Sequence, residues 1–234
     1  MRWFRAIRQL LGLPFDLWAL LVTWLPGPIG QRLRFRYWRA RLRSLGDGSV
    51  IDIGVFIQGP EYVSIGANSW IDRHVHILAG PARPGRSTLR KPNENFSGEE
   101  GEVLIGSYTH IAPFCVLSGI AGIQIGDYSG VASGAKIYSF SHHYRNLADP
   151  DDPAQYSFTP LARPDQQAMI AGPVVLGDHS AVGLGCILLP GVTIGRGAWL
   201  ASGDVAGKDV PDQTLAFAKT ELVQKKLDDL EIVV

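Results

Sequence analysis

Groups able to carry a proton or attack a carbonyl are few in this 234-residue chain: six histidines and two cysteines. His74, His76, His110 and His179 stand inside a regular aliphatic pattern, at outward or corner positions, and read as surface imidazoles. His142 differs. It follows Ile137 by five residues, where the pattern gives way to a polar stretch, and His143, Tyr144 and Arg145 come next. An imidazole with an ordinary pKa near ~6.5 accepts a proton at neutral pH, so His142 or His143 fits a general base. Cys115 and Cys186 each follow an aliphatic position by four, in a small inward slot where a thiol behaves as a small hydrophobe. Their separation along the stacking axis argues against a mutual disulfide. His76, His110 and His142 share a register slot, but the one tight pair is His142–His143, whose side chains diverge on a strand, so no metal is expected.

These groups need a frame, and the frame is a repeat. Aliphatic residues recur every six positions in four blocks: Ile65, Ile71, Ile77; Ile105, Ile111, Leu117; Ile125, Val131, Ile137; and Leu176, Val182, Leu188, Ile194, Leu200. Glycine often follows, as at Gly66, Gly106, Gly126 and Gly177, and a small or β-branched residue tends to come four later, as at Ser69, Thr109, Ala135 and Ser180. Neither a helical period nor two-residue alternation gives this spacing. The period predicts an all-β solenoid, a parallel β-helix in which each six-residue unit is one short strand and one corner. The aliphatic residue points inward, the glycine lets the backbone turn, and three units close a triangular coil.

The repeat is expected over residues 46–211, with loop excursions at 81–102 and 141–172 that lack the register. Long loops without structure of their own are often functional. Residues 212–234 are expected to form a tail with a short C-terminal helix over Glu221–Leu230, covering the last unpaired coil. Residues 1–45 form a separate N-terminal helical segment. The first 44 hold nine arginines, four of the six tryptophans and a single acid, Asp16. The apolar run from Leu10 to Pro26 contains Pro14 and Asp16 and is short for a span. It also lacks the small-residue cleavage site of a signal peptide. Two readings stay open: helices packed on the body with arginines on the wet face, or an interfacial anchor on anionic lipid.

Composition narrows the function classes. Lys+Arg and Asp+Glu balance at 22 each, so bulk charge points to no nucleic-acid partner. Hydrophobic residues at 46% exclude wholesale disorder. Two cysteines cannot make a disulfide framework, and the chain reads as cytoplasmic, with residues 1–44 the one candidate for peripheral contact with the inner membrane surface.

Two motifs carry a resemblance. "GPVVLGDHSAVGLGCILLPGVTIGRGAWLASGDVAGKDVP", Gly172–Pro211, and "SGAKIYSFSHHYRNL", Ser133–Leu147, resemble the terminal coils and the histidine segment of the hexapeptide-repeat acyltransferases, in particular the O-acetyltransferases related to maltose and galactoside acetyltransferase and those of surface-polysaccharide synthesis. The resemblance implies a left-handed parallel β-helix and a homotrimer with active sites at subunit boundaries. Acetyl-CoA would be the acyl donor, and a hydroxyl of a sugar or glycan, lipid-linked acceptors of surface-polysaccharide synthesis included, the target. By its offset from Ile137, His142 would be the base; the doublet keeps His143 as a second candidate. Ser202, Gly203 and Lys208 match positions that in the family line the cofactor groove or meet its phosphates. The chain departs from the family at Ala181, where a tryptophan is common, and at Phe217, where a small residue is common. The competing expectations are a zinc lyase of the carbonic-anhydrase type on the same solenoid and a scaffold without catalysis.

Overall fold

Aliphatic residues six apart can share one interior only if the chain returns to the same three walls every coil, and it does. The structure, a computed structural model, describes residues 17–218. The first wall stacks β1 (Ser44–Leu45), β4 (Val63–Ile65), β8 (Val103–Ile105), β11 (Ile123–Ile125), β16 (Val174–Leu176) and β19 (Thr193–Ile194). The second stacks β2 (Val50–Ile51), β5 (Trp70–Ile71), β9 (His110–Ile111), β12 (Gly130–Val131), β17 (Ala181–Val182), β20 (Trp199–Leu200) and β22 (Leu215–Ala216). The third stacks β3 (Phe56–Gln58), β6 (His76–Leu78), β10 (Val116–Ser118), β13 (Lys136–Tyr138), β18 (Ile187–Leu188) and β21 (Val205–Ala206). All pairings in these walls are parallel and keep the aliphatic register, for example Ile65↔Ile105↔Ile125↔Leu176. This is a left-handed parallel β-helix. Ile71, Ile77, Ile111, Leu117 and Ile137 have no exposed surface, and each such side chain contributes about 1.5–3 kcal/mol by leaving water.

The corners correct one expectation. Gly66 and Gly106 do not turn the chain by a positive φ. A Cβ on Gly66 would lie 2.6 Å from the carbonyl carbon of Gly106 and the nitrogen of Ser107 in the next coil, so glycine is needed for close approach of stacked backbones. The left-handed position lies two residues on and is filled by Asn68, Tyr108, Tyr128 and His179, with φ of 54° to 58°. That conformation costs a non-glycine residue roughly 1–2 kcal/mol. Stacking offsets part of it: the Tyr108 and Tyr128 rings are parallel at 4.8 Å, and Tyr128 and His179 lie 5.1 Å apart.

The small slot also divides by corner. Between the first and second walls it holds Ser69, Thr109, Ser129 and Ser180, all buried. The hydroxyls of Ser69, Thr109 and Ser129 donate to the glycine carbonyl of the next coil, as Thr109 Oγ1 does to Gly126 at 2.7 Å, and accept from the following slot's amide, while Ser180 Oγ donates back to Ser129 Oγ at 3.4 Å. Buried hydroxyls are thereby satisfied within the stack. Between the second and third walls the slot holds Val75, Cys115, Ala135 and Cys186. Cys115 and Cys186 share this column with Ala135 between them. Two rungs of about 4.8 Å exceed disulfide reach. Burial pushes the Cys115 thiol up to about 11, against the opposing pull of the main-chain N–H groups of Ala135 and Gly134.

Both excursions leave the third corner, between the third and first walls, and both have structure of their own. β7 (Ser87–Arg90) comes from the first, and β14 (Phe140–His143) and β15 (Ala168–Ala171) from the second. β14 pairs antiparallel with β15, and β15 pairs parallel with β7, giving one three-stranded mixed sheet. Phe140, Met169 and Ala171 pack with Ala121 into a small apolar cluster beneath it. Neither excursion carries the hexapeptide register, which is why the period did not show this sheet.

At the N-terminal end, residues 17–24 form α1 and Gly27–Arg39 form α2, packed against β1 and β2. The expectation of arginines on the wet face fails at Arg34, which is 2% exposed. Its Nε donates to Ile51 O at 2.9 Å, its Nη1 to Leu25 O at 2.6 Å, and Asp52 lies 3.5 Å from Nη2. At the other end the register passes Pro211: Val210 bridges Ile194, and Leu215–Ala216 pairs with β20. The helix expected over Glu221–Leu230 lies outside the described residues.

Candidate active site

His142 sits in β14, on the projecting sheet rather than on a wall of the prism, which corrects its expected place on a rung. The β14–β15 pairing sets its surroundings. Gln167, immediately before β15, is 1% exposed and aims its amide at the histidine. Its Nε2 donates to Ala162 O at 2.5 Å, which leaves Oε1 as an acceptor. That oxygen receives Arg86 Nε at 2.9 Å and lies 3.3 Å from His142 Nε2. An amide oxygen can only accept, so Nε2 of a neutral His142 carries the hydrogen and Nδ1 keeps the lone pair. The ring also lies against Phe158, with centroids 5.4 Å apart. One hydrogen-bonded neighbour, itself held by Arg86 and Ala162, and an aromatic face fix the imidazole's direction, as a base needs.

His143 is tied differently. Its Nδ1 lies 2.9 Å from Arg145 O and 3.2 Å from Arg145 N, so the main chain of the following turn holds it. It has no partner comparable to Gln167. Gln167 and Arg86 escaped sequence reading because both lie in irregular polar stretches, 81 residues apart, and only the mixed sheet brings them together.

The second excursion is organised around Asp152. The Tyr156 hydroxyl donates to Oδ2 at 2.6 Å, Asn146 Nδ2 donates to the same oxygen at 3.2 Å, and Ala154 N donates to Oδ1 at 2.9 Å. The bond from Tyr156 first, then those from Ala154 and Asn146, hold its carboxyl below the usual aspartate value. A lowered folded pKa makes this support full above the ordinary value of 3.8 and lost as pH falls through the lowered one. We expect the Ala154 and Tyr156 amides to lose hydrogen-exchange protection across that acid window, while the β11 amides keep theirs. Asp152→Asn should remove the pH dependence; an unchanged profile in that variant would contradict the assignment.

Ser202 and Gly203 form the corner between the second and third walls. Ser202 Oγ accepts from Leu184 N at 3.1 Å, and Gly203, at φ 83°, donates to Leu184 O at 2.8 Å. Ser202 borders a groove of 420 Å³ on the outer face of the second wall, walled by His110 and Trp199 and floored by Gly130 and Ala181. The small side chain at Ala181 keeps that floor open. Lys208 is exposed at the third corner, on the same prism edge as the mixed sheet. The chain therefore gathers Ser202 and Gly203 along one edge, and His142, His143 and Lys208 along another. His76 and His110 lie on different walls, contrary to the shared slot read from the sequence. Among the described residues, no three of His, Cys, Asp and Glu converge as metal ligands would.

Comparison with known proteins gives the class. Residues 173–205 match the hexapeptide repeat of succinyl-transferase. The chain is 30% identical over 169 residues to the dTDP-4-amino-4,6-dideoxy-D-glucose acyltransferase of Escherichia coli, covering 71% of this chain and 73% of that protein. It is 31% identical over 148 residues to nodulation protein L of Rhizobium meliloti, covering 62% and 69%. A crystal structure of a variant of AntD, an N-acyltransferase from Bacillus cereus in complex with dTDP-4-amino-4,6-dideoxyglucose and coenzyme A, superposes with a TM-score of 0.62 at 20% identity, covering 82% of this chain and 90% of that one. The chain belongs to the hexapeptide-repeat acyltransferases.

Proposed function

We propose that the protein transfers an acetyl group from acetyl-CoA to a hydroxyl of a sugar or glycan, with His142 as general base. The observation that carries this reading is the Gln167–His142 contact at 3.3 Å, which orients an imidazole with its Nδ1 lone pair free. A hydroxyl is a weak nucleophile that must lose its proton as it attacks, so it gains from such a base. Nδ1 takes that proton as the oxygen bonds to the thioester carbonyl carbon. The C–S bond then breaks, and the imidazolium returns the proton to the departing thiolate. A main-chain N–H in the cleft would hold the developing oxyanion. The E. coli relative and AntD support acyl transfer to sugars, and AntD's bound coenzyme A supports the donor.

The same reading assigns Ser202 and Gly203 to the cofactor groove and Lys208 to the cofactor's phosphates. The groove's apolar walls suit a pantetheine arm. One chain holds the groove and His142 on different edges, which supports a homotrimer whose sites form between neighbours, His142 of one facing Ser202 and Gly203 of the next. Co-assembly of His142→Ala and Gly203→Trp chains tests this. Each variant alone should be nearly inactive, and a random mixture should recover roughly a quarter of the parental rate, the share of boundaries with both intact halves. No recovery would place each site within one chain. Thiol release from acetyl-CoA across free, nucleotide-linked and lipid-linked sugars identifies the acceptor; release with amino sugars alone would overturn the choice of oxygen nucleophile.

A further inference from the structure

We propose that α1 docks the protein on an anionic lipid bilayer. This inference is independent of the acyl-transfer reading. α1 packs inward through Val22, which has no exposed surface, while Leu17, Trp18, Leu20, Leu21 and Trp24 are each 48–58% exposed. Five large apolar side chains on two helical turns form a continuous surface patch that a solvated helix would not keep. Tryptophan and leucine are the residues that enter the headgroup and upper acyl region. No described helix is long and apolar enough to cross a membrane, and the exposed apolar face of α1 suits a position in the interface plane.

Charge selects the lipid. On α2, Ile29, Arg32 and Arg36 recur along one exposed stripe at spacings of three and four. Residues 1–44 carry nine arginines against one acid. That excess attracts an anionic surface and repels a second copy of itself. The patch is also held rigidly. Arg34 donates to the Leu25 and Val22 carbonyls at the C-terminal end of α1 while bonding the first coil through Ile51, and Thr23 O accepts from Gly54 N at 3.3 Å. The docking face and the prism therefore move as one body. A bilayer at this end suits an acceptor presented at a membrane surface.

Flotation of the full chain with vesicles tests this. The parent should float with phosphatidylcholine vesicles containing phosphatidylglycerol and not with phosphatidylcholine alone, and the floated fraction should fall with salt. Trp18→Glu with Leu21→Glu should lower it by about tenfold or more, because both apolar insertion and charge attraction suffer. Arg32→Glu with Arg36→Glu should weaken binding mainly at low salt. All four side chains are exposed, so circular dichroism should be unchanged. A parent that does not float would overturn the proposal. So would equal flotation of the Trp18/Leu21 variant, which would assign the contact to residues 1–16. A drop in oligomer size of that variant without lipid would assign the face to a second copy instead.

Discussion

His142→Ala should lower thiol release from acetyl-CoA by about 10²–10⁴-fold, the usual contribution of a positioned base. The loss should fall on kcat, with KM for acetyl-CoA little changed, because the groove at Ser202 lies on another edge of the prism. His142 is only half-buried in β14, so stability should move by less than about 1 kcal/mol. His143→Ala should cost less than about tenfold, because its Nδ1 is held by the Arg145 main chain and no side chain orients it toward a substrate. Gln167→Glu is a sharper probe of positioning. A carboxylate on His142 Nε2 would stabilise the imidazolium and move the pH–rate profile of kcat toward higher pH, whereas a merely structural Gln167 would leave the profile in place. Equal losses for His142→Ala and His143→Ala would remove the assignment.

The largest stability effect is expected from Arg34→Ala. That guanidinium is 2% exposed, and burial lowers its pKa while Asp52 raises it. Its removal leaves the carbonyls of Leu25 and Ile51 without their donor and Asp52 with the exposed Arg73, at 3.3 Å, as its one remaining charged partner among the described residues. Breaking a buried charge network of this kind costs about 3–5 kcal/mol. The first coil should open before the others, since α2 is what covers β1 and β2 and contacts in a solenoid run between neighbours. Hydrogen exchange should show lost protection at Val50 and Asp52 with Ala181 and Gly183 retained. Arg34→Lys should restore little, because a point ammonium cannot serve the carbonyls of Val22, Leu25 and Ile51 and the Asp52 carboxylate, which are spread across a planar fork. Uniform destabilisation along the prism, or none, would contradict the role given to Arg34.

The walls were legible in the sequence because they follow from spacing alone. An aliphatic residue every sixth position has one economical packing, a triangular coil whose interior is shared by its neighbours, and Ile65 through Leu200 occupy that interior as the period implies. The inward cysteines followed from the same register. What the register could not say is why a given slot holds its residue. Glycine after the aliphatic position serves close approach between coils, while Tyr108, Tyr128 and His179 take the strained corner, a division set by contacts 20 to 51 residues apart. Stretches without register were illegible for the same reason: the mixed sheet of β7, β14 and β15 pairs strands by long-range hydrogen bonds that no local pattern encodes.

The amino-acid order by itself determined the prism, its three walls and the place where a histidine doublet leaves it, because burial of aliphatic side chains acts at short, repeating separations. Tertiary structure alone decided that Gln167 and Arg86 meet His142, that Arg34 is buried, and that the groove and the histidines lie on separate edges. Those outcomes depend on hydrogen bonds and packing between segments far apart in the chain, where local periodicity carries no information.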